Sequence, residues 1–120
     1  MNWLFVGALG AAISIALGAF GAHGLRARLG AEELVIWETA ARYLMYASLG
    51  LTVMGLLERQ SPGVSGGAAA LLAAGGLIFA GTLVALALGG PRWLGAITPV
   101  GGVLMIAGWV LLAWATLRSW

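Results

Sequence analysis

Few side chains in this sequence can do acid–base or ligand chemistry, and the useful ones lie close together. Six arginines, four glutamates and one histidine carry or titrate charge near neutral pH, and lysine, aspartate and cysteine do not occur. Glu38 and Arg42 stand four residues apart with the acid first, the favourable order for an ion pair on a helix. Tyr46 extends the same face by a turn. His23 lies just ahead of Glu32 and Glu33. The candidate polar cluster is therefore His23, Glu38, Arg42 and Tyr46. One histidine provides no imidazole pair, and its spacing to Glu32, Glu33 or Glu38 is too loose to define a metal site; a hydrogen bond from a helix end to backbone or lipid phosphate is the simpler reading. Without cysteine there is no disulfide, thiolate ligand or thiol nucleophile. No catalytic residue, metal or cofactor is assigned, because no nucleophile–base pair, paired carboxylates or ligand set is visible.

The elements that position these groups belong to lipid. The chain has 120 residues, 62% hydrophobic and 8% charged, with mean hydropathy +1.02. Soluble domains carry about 25% charged residues. The net charge of +2 comes without a basic patch, so nucleic acid is not an expected partner despite a pI near 10.0. No Arg or Lys precedes Arg26, so the amino-terminal apolar run reads as a retained membrane helix rather than a secretory signal.

Four crossings are predicted, at about 2–22, 32–58, 62–88 and 99–117, forming an all-α membrane bundle of one domain, 1–120, with both termini on one side. In the first helix, Gly10, Ser14, Gly18 and Ala22 recur every four residues, widened by Gly7 and Ala11, and predict a close helix contact. Arg26, Arg28, Arg92 and Trp93 suit headgroup depth, as do Arg118 and Trp120 at the other end. Glu32 and Glu33 fall in the first turn of the second helix, where acids favour the positive end of its dipole. The uncharged run Tyr43 to Leu57 is ~22 Å long, short of a ~30 Å core, so Arg42 must enter the membrane near its edge. Trp37, Tyr43 and Tyr46 beside it read as an interfacial aromatic belt. Glu38 and Arg42 are then either an ion pair that fixes helix depth or a functional polar site. Ser61 and Pro62 are expected to cap and open the third helix, and Thr98 and Pro99 the fourth. Gly95 to Thr98 entering the membrane as irregular backbone is the alternative. Gly76 with Ala80 and Gly81 with Ala85 repeat the small pattern, while Gly101 and Gly102 permit close backbone approach. Ser14, Ser48 and Thr52 are expected to bond the carbonyl one turn back. Loops one and three hold three arginines and the opposite side two, which leaves orientation undecided.

The segments GAFGAHGL, WETAARYLMY and GAITPVGG, in that order and with a tryptophan-rich last helix, resemble domain-of-unknown-function family 423, also called uncharacterised protein family 0382. Animal transmembrane protein 256 looks like a distant relative. The resemblance covers nearly the whole chain and implies a four-helix bacterial membrane protein, in the inner or cell membrane, with no established activity. It implies motif roles for Gly21, His23, Gly24, Trp37, Arg42, Tyr46, Thr98, Pro99 and Gly101. Members usually have a histidine where this chain has Ala47, and often Ser and Tyr in place of Thr82 and Val84.

Thin polar content, small-residue surfaces and short length favour a non-enzymatic structural or accessory subunit of a membrane assembly. Its expected partners are membrane lipids and either other membrane subunits or further copies of itself. The alternative is a small oligomeric transporter or channel using Glu38 and Arg42, with its path between protomers. A lipid-modifying enzyme lacks a visible catalytic set.

Overall fold

The computed structural model describes residues 1–119, with side chains through Arg118; Trp120, expected at headgroup depth, lies outside the described residues. Four helices follow in order: α1 at Trp3–His23, α2 at Ala31–Gln60, α3 at Ala68–Ala87 and α4 at Leu94–Ser119. Each is long and apolar enough to cross a membrane. At 1.5 Å per residue the shortest, α3, spans ~30 Å, the thickness of a hydrocarbon core. The protein is thus an all-α, four-helix membrane protein.

Neighbouring helices run antiparallel, as the order of their contacts records. On α2, Thr52, Ser48 and Trp37 face Gly7, Gly10 and Gly21 of α1 in reverse order. Ala47 and Gly50 face Gly76 and Leu72 of α3. Gly101 and Gly108 of α4 face Phe79 and Leu72 of α3. Four alternating crossings return the chain to the side on which it began. The helices pack in sequence, α1 on α2, α2 on α3 and α3 on α4, with only slight contact between α2 and α4. The main core lies between α2, α3 and α4 and centres on Leu51, Met54, Leu72, Met105 and Leu112.

The contact face of α1 differs from the predicted stripe. Gly7, Ser14 and Gly21 are buried and Gly10 abuts Ser48, whereas a side chain at Gly18 would meet nothing within 4 Å. The seam is 7, 10, 14, 17, 21, alternating steps of three and four. Helical geometry explains this. Each four-residue step overshoots a full turn by ~40°, so Ala22 lies ~120° around the helix from Gly10. Alternating steps average 3.5 residues and hold one face toward a partner crossing at a shallow angle. The last helix repeats the rule: Thr98, Gly101, Met105, Gly108 and Leu112 are all buried. Gly76 and Ala80 are buried, but Gly81 is exposed.

Two helix starts differ from expectation. Ser61 caps the end of α2, its N–H bonded to the Leu57 carbonyl, and Pro62 lies in a run of turns before α3 begins at Ala68. The cause is local. Gly63 and Gly66 take φ of +83° and +53°, the left-handed region, so no helix passes through them. The Glu58 carboxylate stabilises that turn by accepting from the Gly63 N–H (2.7 Å), the Ser65 N–H (3.2 Å) and the Ser65 hydroxyl. At the other start, α4 begins at Leu94, so Thr98 and Pro99 lie within it and Gly95 to Thr98 are helical. Pro99 removes the N–H that would bond the Gly95 carbonyl. The Thr98 hydroxyl lies 3.0 Å from the Leu94 carbonyl, to which it can donate, and 2.6 Å from the Thr82 hydroxyl, from which it can accept. The turn after α3 ends at Gly89 (φ +95°), with the Gly90 N–H on the Ala85 carbonyl and the Gly89 N–H on that of Leu86. That is a Schellman close, where the left-handed residue is usually glycine.

Candidate functional site

Between α1 and α2 a groove of about 400 Å3 opens to the side of the molecule, lined by Ser14, Ile15, Gly18, Glu38, Arg42 and Tyr46 among others. Its floor is fixed by hydrogen bonds that the sequence did not reveal. The Ser14 hydroxyl donates across to the Ala41 carbonyl on α2, rather than to its own helix one turn back. Thr52 does bond one turn back, to the Ser48 carbonyl at 2.9 Å. Trp37, expected in an interfacial belt, is buried (5% exposed) and donates its indole N–H to the Leu17 carbonyl at 2.7 Å. Gly21 is required beneath it: a Cβ there would lie 2.5 Å from the indole ring. Trp37 faces α1 rather than lipid because a buried indole whose N–H has a partner gives α1 and α2 both apolar area and a specific tie.

Glu38, Arg42 and Tyr46 come together on this groove and are exposed. His23 stands apart. It is the last residue of α1 and is exposed there. Among the described residues neither Glu38 nor Arg42 is held by a hydrogen bond or ion pair. An exposed pair at this spacing gains only ~0.3–0.5 kcal/mol, too little to oblige two long side chains to close. No group of three potential metal ligands assembles among the described residues.

Depth follows from register. The contacts of Ala47 with Gly76 and of Gly50 with Leu72 put Arg42 level with Ala80, ~10 Å inside the end of α3, and Glu38 level with Val84, ~4 Å inside it. The ring contact of Tyr43 with Phe79 (4.9 Å between centroids) agrees. Glu38 is therefore near the edge of the span, while the backbone of Arg42 is well within it.

Tyr46 also lines a second groove, about 450 Å3 and mostly apolar, between α2 and α4. Tyr43, Phe79, Ile106 and Trp109 form its walls. Tyr43 and Tyr46 meet edge to face at 5.1 Å. Sequence reasoning missed this groove, since Phe79 and Trp109 look like ordinary apolar residues until α2 and α4 are placed beside each other.

The remaining motif residues are structural. Gly24 closes α1 beneath the Phe20 ring. Gly101 lets α4 approach α3, with its would-be Cβ 2.5 Å from the Phe79 nitrogen. Gly102 has only ordinary contact with the Phe79 ring, at 3.6 Å. Ala47, in place of the implied histidine, is buried against Gly76, where a would-be Cβ would come within 2.8 Å of it.

Four antiparallel spans with a polar groove open to one side define a small integral membrane protein. The family described as "Protein of unknown function (DUF423)" matches residues 17–102. A UPF0382 membrane protein of Staphylococcus epidermidis is 47% identical over 97% of this chain and 95% of its own length. UPF0382 membrane proteins of Staphylococcus haemolyticus (42%; 97% of this chain, 95% of the relative) and Bacillus subtilis (37%; 97% and 96%) are similar throughout. The chain belongs to the DUF423 family of UPF0382 membrane proteins. No solved structure matches it.

Proposed function

We propose that this protein is a non-enzymatic accessory subunit of a membrane assembly. The observation that carries the reading is the open order of the helices: α1 and α4 each have one main neighbour, so both ends of the array present uncovered apolar faces. Phe5, Leu9 and Ile13 mark the outer face of α1, and Val103, Val110 and Leu117 that of α4. Most hydroxyls within the spans are engaged in bonds to backbone or to one another, which suits a scaffold better than a reaction centre. The test is photocrosslinking in native membranes from Ile13 and Val103, with partner identification. A stoichiometric membrane-protein partner is the expected product. Recovery of this chain alone and uncrosslinked, monodisperse in every detergent, would refute the proposal.

A transporter is the second reading, favoured by the presence of Glu38 and Arg42 within a spanning helix, where ionisable groups are rare without a role. The groove is open to the side, so a path would need a second protomer to close it. Liposome flux abolished by Glu38→Gln or Arg42→Gln would support it; no flux from the wild type across a broad solute panel would count against it.

A further inference from the structure

We propose that the two grooves meeting at Tyr46 form one binding site for a phospholipid with a primary-amine headgroup. The polar half carries two opposite charges on backbone positions whose order along the membrane normal is fixed by the helix register. Glu38 lies nearer the edge of the span and Arg42 lies one turn, ~6 Å, deeper. An aminophospholipid carries the complementary order: its ammonium is outermost, its phosphate two carbons further in, its glycerol and acyl chains deeper still. Glu38 accepts from the ammonium. The Arg42 guanidinium takes the phosphate through two parallel N–H donors, a match of planar fork to oxyanion that a single point charge does not reproduce.

The shape of the site agrees with the charge order. Gly18 leaves the α1 wall low, with open space where a side chain would be, and the headgroup enters there. Below it the Tyr46 hydroxyl is a donor for the phosphate or the glycerol ester. Tyr46 borders both grooves, and the lipid passes over it from Arg42 to the apolar wall of Phe79, Ile106 and Trp109. One acyl chain lies along that wall. Among the described residues neither charge has a partner, one at the edge of the span and one carried on backbone within it, and a zwitterion of opposite polarity neutralises them together.

Selectivity follows from the same groups. A quaternary ammonium cannot donate a hydrogen bond to Glu38. An anionic headgroup with no amine satisfies Arg42 but offers the Glu38 carboxylate only neutral hydroxyl donors, weaker partners than an ammonium. The site therefore ranks phosphatidylethanolamine above phosphatidylcholine and phosphatidylglycerol. This holds whether or not the chain has protein partners.

The test is native mass spectrometry of the purified full-length protein from mixed micelles holding those three lipids in equal amounts. The wild type is expected to retain one phosphatidylethanolamine per protomer, at least about tenfold over either competitor. Glu38→Gln is expected to erase the preference over phosphatidylglycerol, and Arg42→Gln to release all three. Gly18→Leu fills the entrance without touching a charge or a packed contact, so it is expected to lose the lipid while its helix content and melting temperature stay unchanged. Equal retention of the three lipids by the wild type overturns the proposal. So does a preference that survives Glu38→Gln or Gly18→Leu. A lipid-free dimer dispersed by Gly18→Leu would show that a second copy occupies the groove, and would overturn the lipid site as well.

Discussion

In the α1–α2 hairpin, side chains reach across to the neighbouring backbone: Ser14 to the Ala41 carbonyl and the Trp37 indole to the Leu17 carbonyl. In the α3–α4 hairpin the backbones themselves come together. A Cβ at Gly75 would lie 2.6 Å from the Met105 nitrogen, and one at Gly101 would lie 2.8 Å from the Gly75 carbonyl. Among the described residues, the one side-chain hydrogen bond between α3 and α4 is that of Thr82 with Thr98. Lipid removes most of the hydrophobic drive for helix association, leaving close packing and hydrogen bonds as the remaining means. Backbones also meet in the first hairpin, at Gly7, where a Cβ would lie 2.5 Å from the Thr52 nitrogen, and at Gly55 against Leu4. The first hairpin therefore adds two directed hydrogen bonds to close packing, and the second relies on close packing with a single hydroxyl contact. The difference tracks the charges. All four glutamates lie in α2, and directional hydrogen bonds hold α1 beside it while leaving a groove between them. The second hairpin has no acid, and its two arginines, Arg92 and Arg118, lie in the turn and at the end of α4.

The sharpest break of that contrast is a side chain placed between α3 and α4. Gly101→Val puts atoms where the Phe79 nitrogen and the Gly75 carbonyl already are. Backbone cannot swing aside as a side chain can, so the helices must separate. Overpacking of this kind costs about 1–3 kcal/mol and sometimes more, and the upper end is expected here. Thermal unfolding in detergent should show the largest loss of any single substitution considered, with Gly18→Leu on α1 near zero as its control.

Next in size is Trp37→Phe. The ring volume is largely kept and Gly21 still accommodates it, but the 2.7 Å bond to the Leu17 carbonyl is gone. A buried hydrogen bond to a neutral partner is worth about 0.5–1.5 kcal/mol. The loss should be confined to the first hairpin: hydrogen exchange should rise in α1 and α2 and stay unchanged in α3 and α4. Uniform acceleration across all four helices would show that the hairpins do not unfold separately.

Several of these features were legible in the chain before it folded. Long uncharged runs and a near absence of charge are enough to place four spans, because a bilayer leaves little alternative. The helix starts were less legible. Ser61–Pro62 and Thr98–Pro99 both look like opening signals, and neither is one. Gly63, Gly66 and the Glu58 carboxylate override the first, and the Thr82–Thr98 contact makes a longer α4 favourable despite Pro99. Small residues on α1 were visible, but the partner helix selects which of them form the seam, and that selection depends on crossing geometry. Trp37 was misread for a related reason. Tryptophan near a charged pair suits an interface, and only the glycine at Gly21, sixteen residues away on another helix, makes room to bury it. Glu38, Arg42 and Tyr46 do share a groove, as their spacing suggested. Its apolar continuation past Phe79 and Trp109 needed three helices in place.

The Thr82–Thr98 tie allows a finer comparison. Each hydroxyl also has an acceptor on its own helix, the Ile78 carbonyl for Thr82 and that of Leu94 for Thr98, and with two hydrogens for three contacts one hydroxyl donates to the other while the second donates to its own carbonyl. Loss of the cross-helix bond therefore leaves neither group without a partner. Thr82→Val and Thr98→Val, alone and combined, should give a coupling energy of about 0.6 kcal/mol, the average for hydrogen bonds between membrane helices. A coupling well above that would mean that the second hairpin also leans on a polar tie, and the contrast with the first would weaken.

The smallest expected effect belongs to the residues of greatest functional interest. Glu38→Gln and Arg42→Gln remove charges that are exposed and, among the described residues, unpaired, so each should shift stability in lipid-free detergent by less than about 0.5 kcal/mol. That near-silence is informative. Side chains that tie helices together reveal themselves by destabilising the fold when removed, as Trp37 should. A charge carried within a spanning helix without contributing to that fold has to be met by something outside it. Addition of phosphatidylethanolamine should then raise the melting temperature of the wild type and leave that of Arg42→Gln where it was. If either substitution unfolds the protein in the absence of lipid, Glu38 and Arg42 are structural members of the first hairpin, and the division of labour between packing and groove is wrong at its most exposed point.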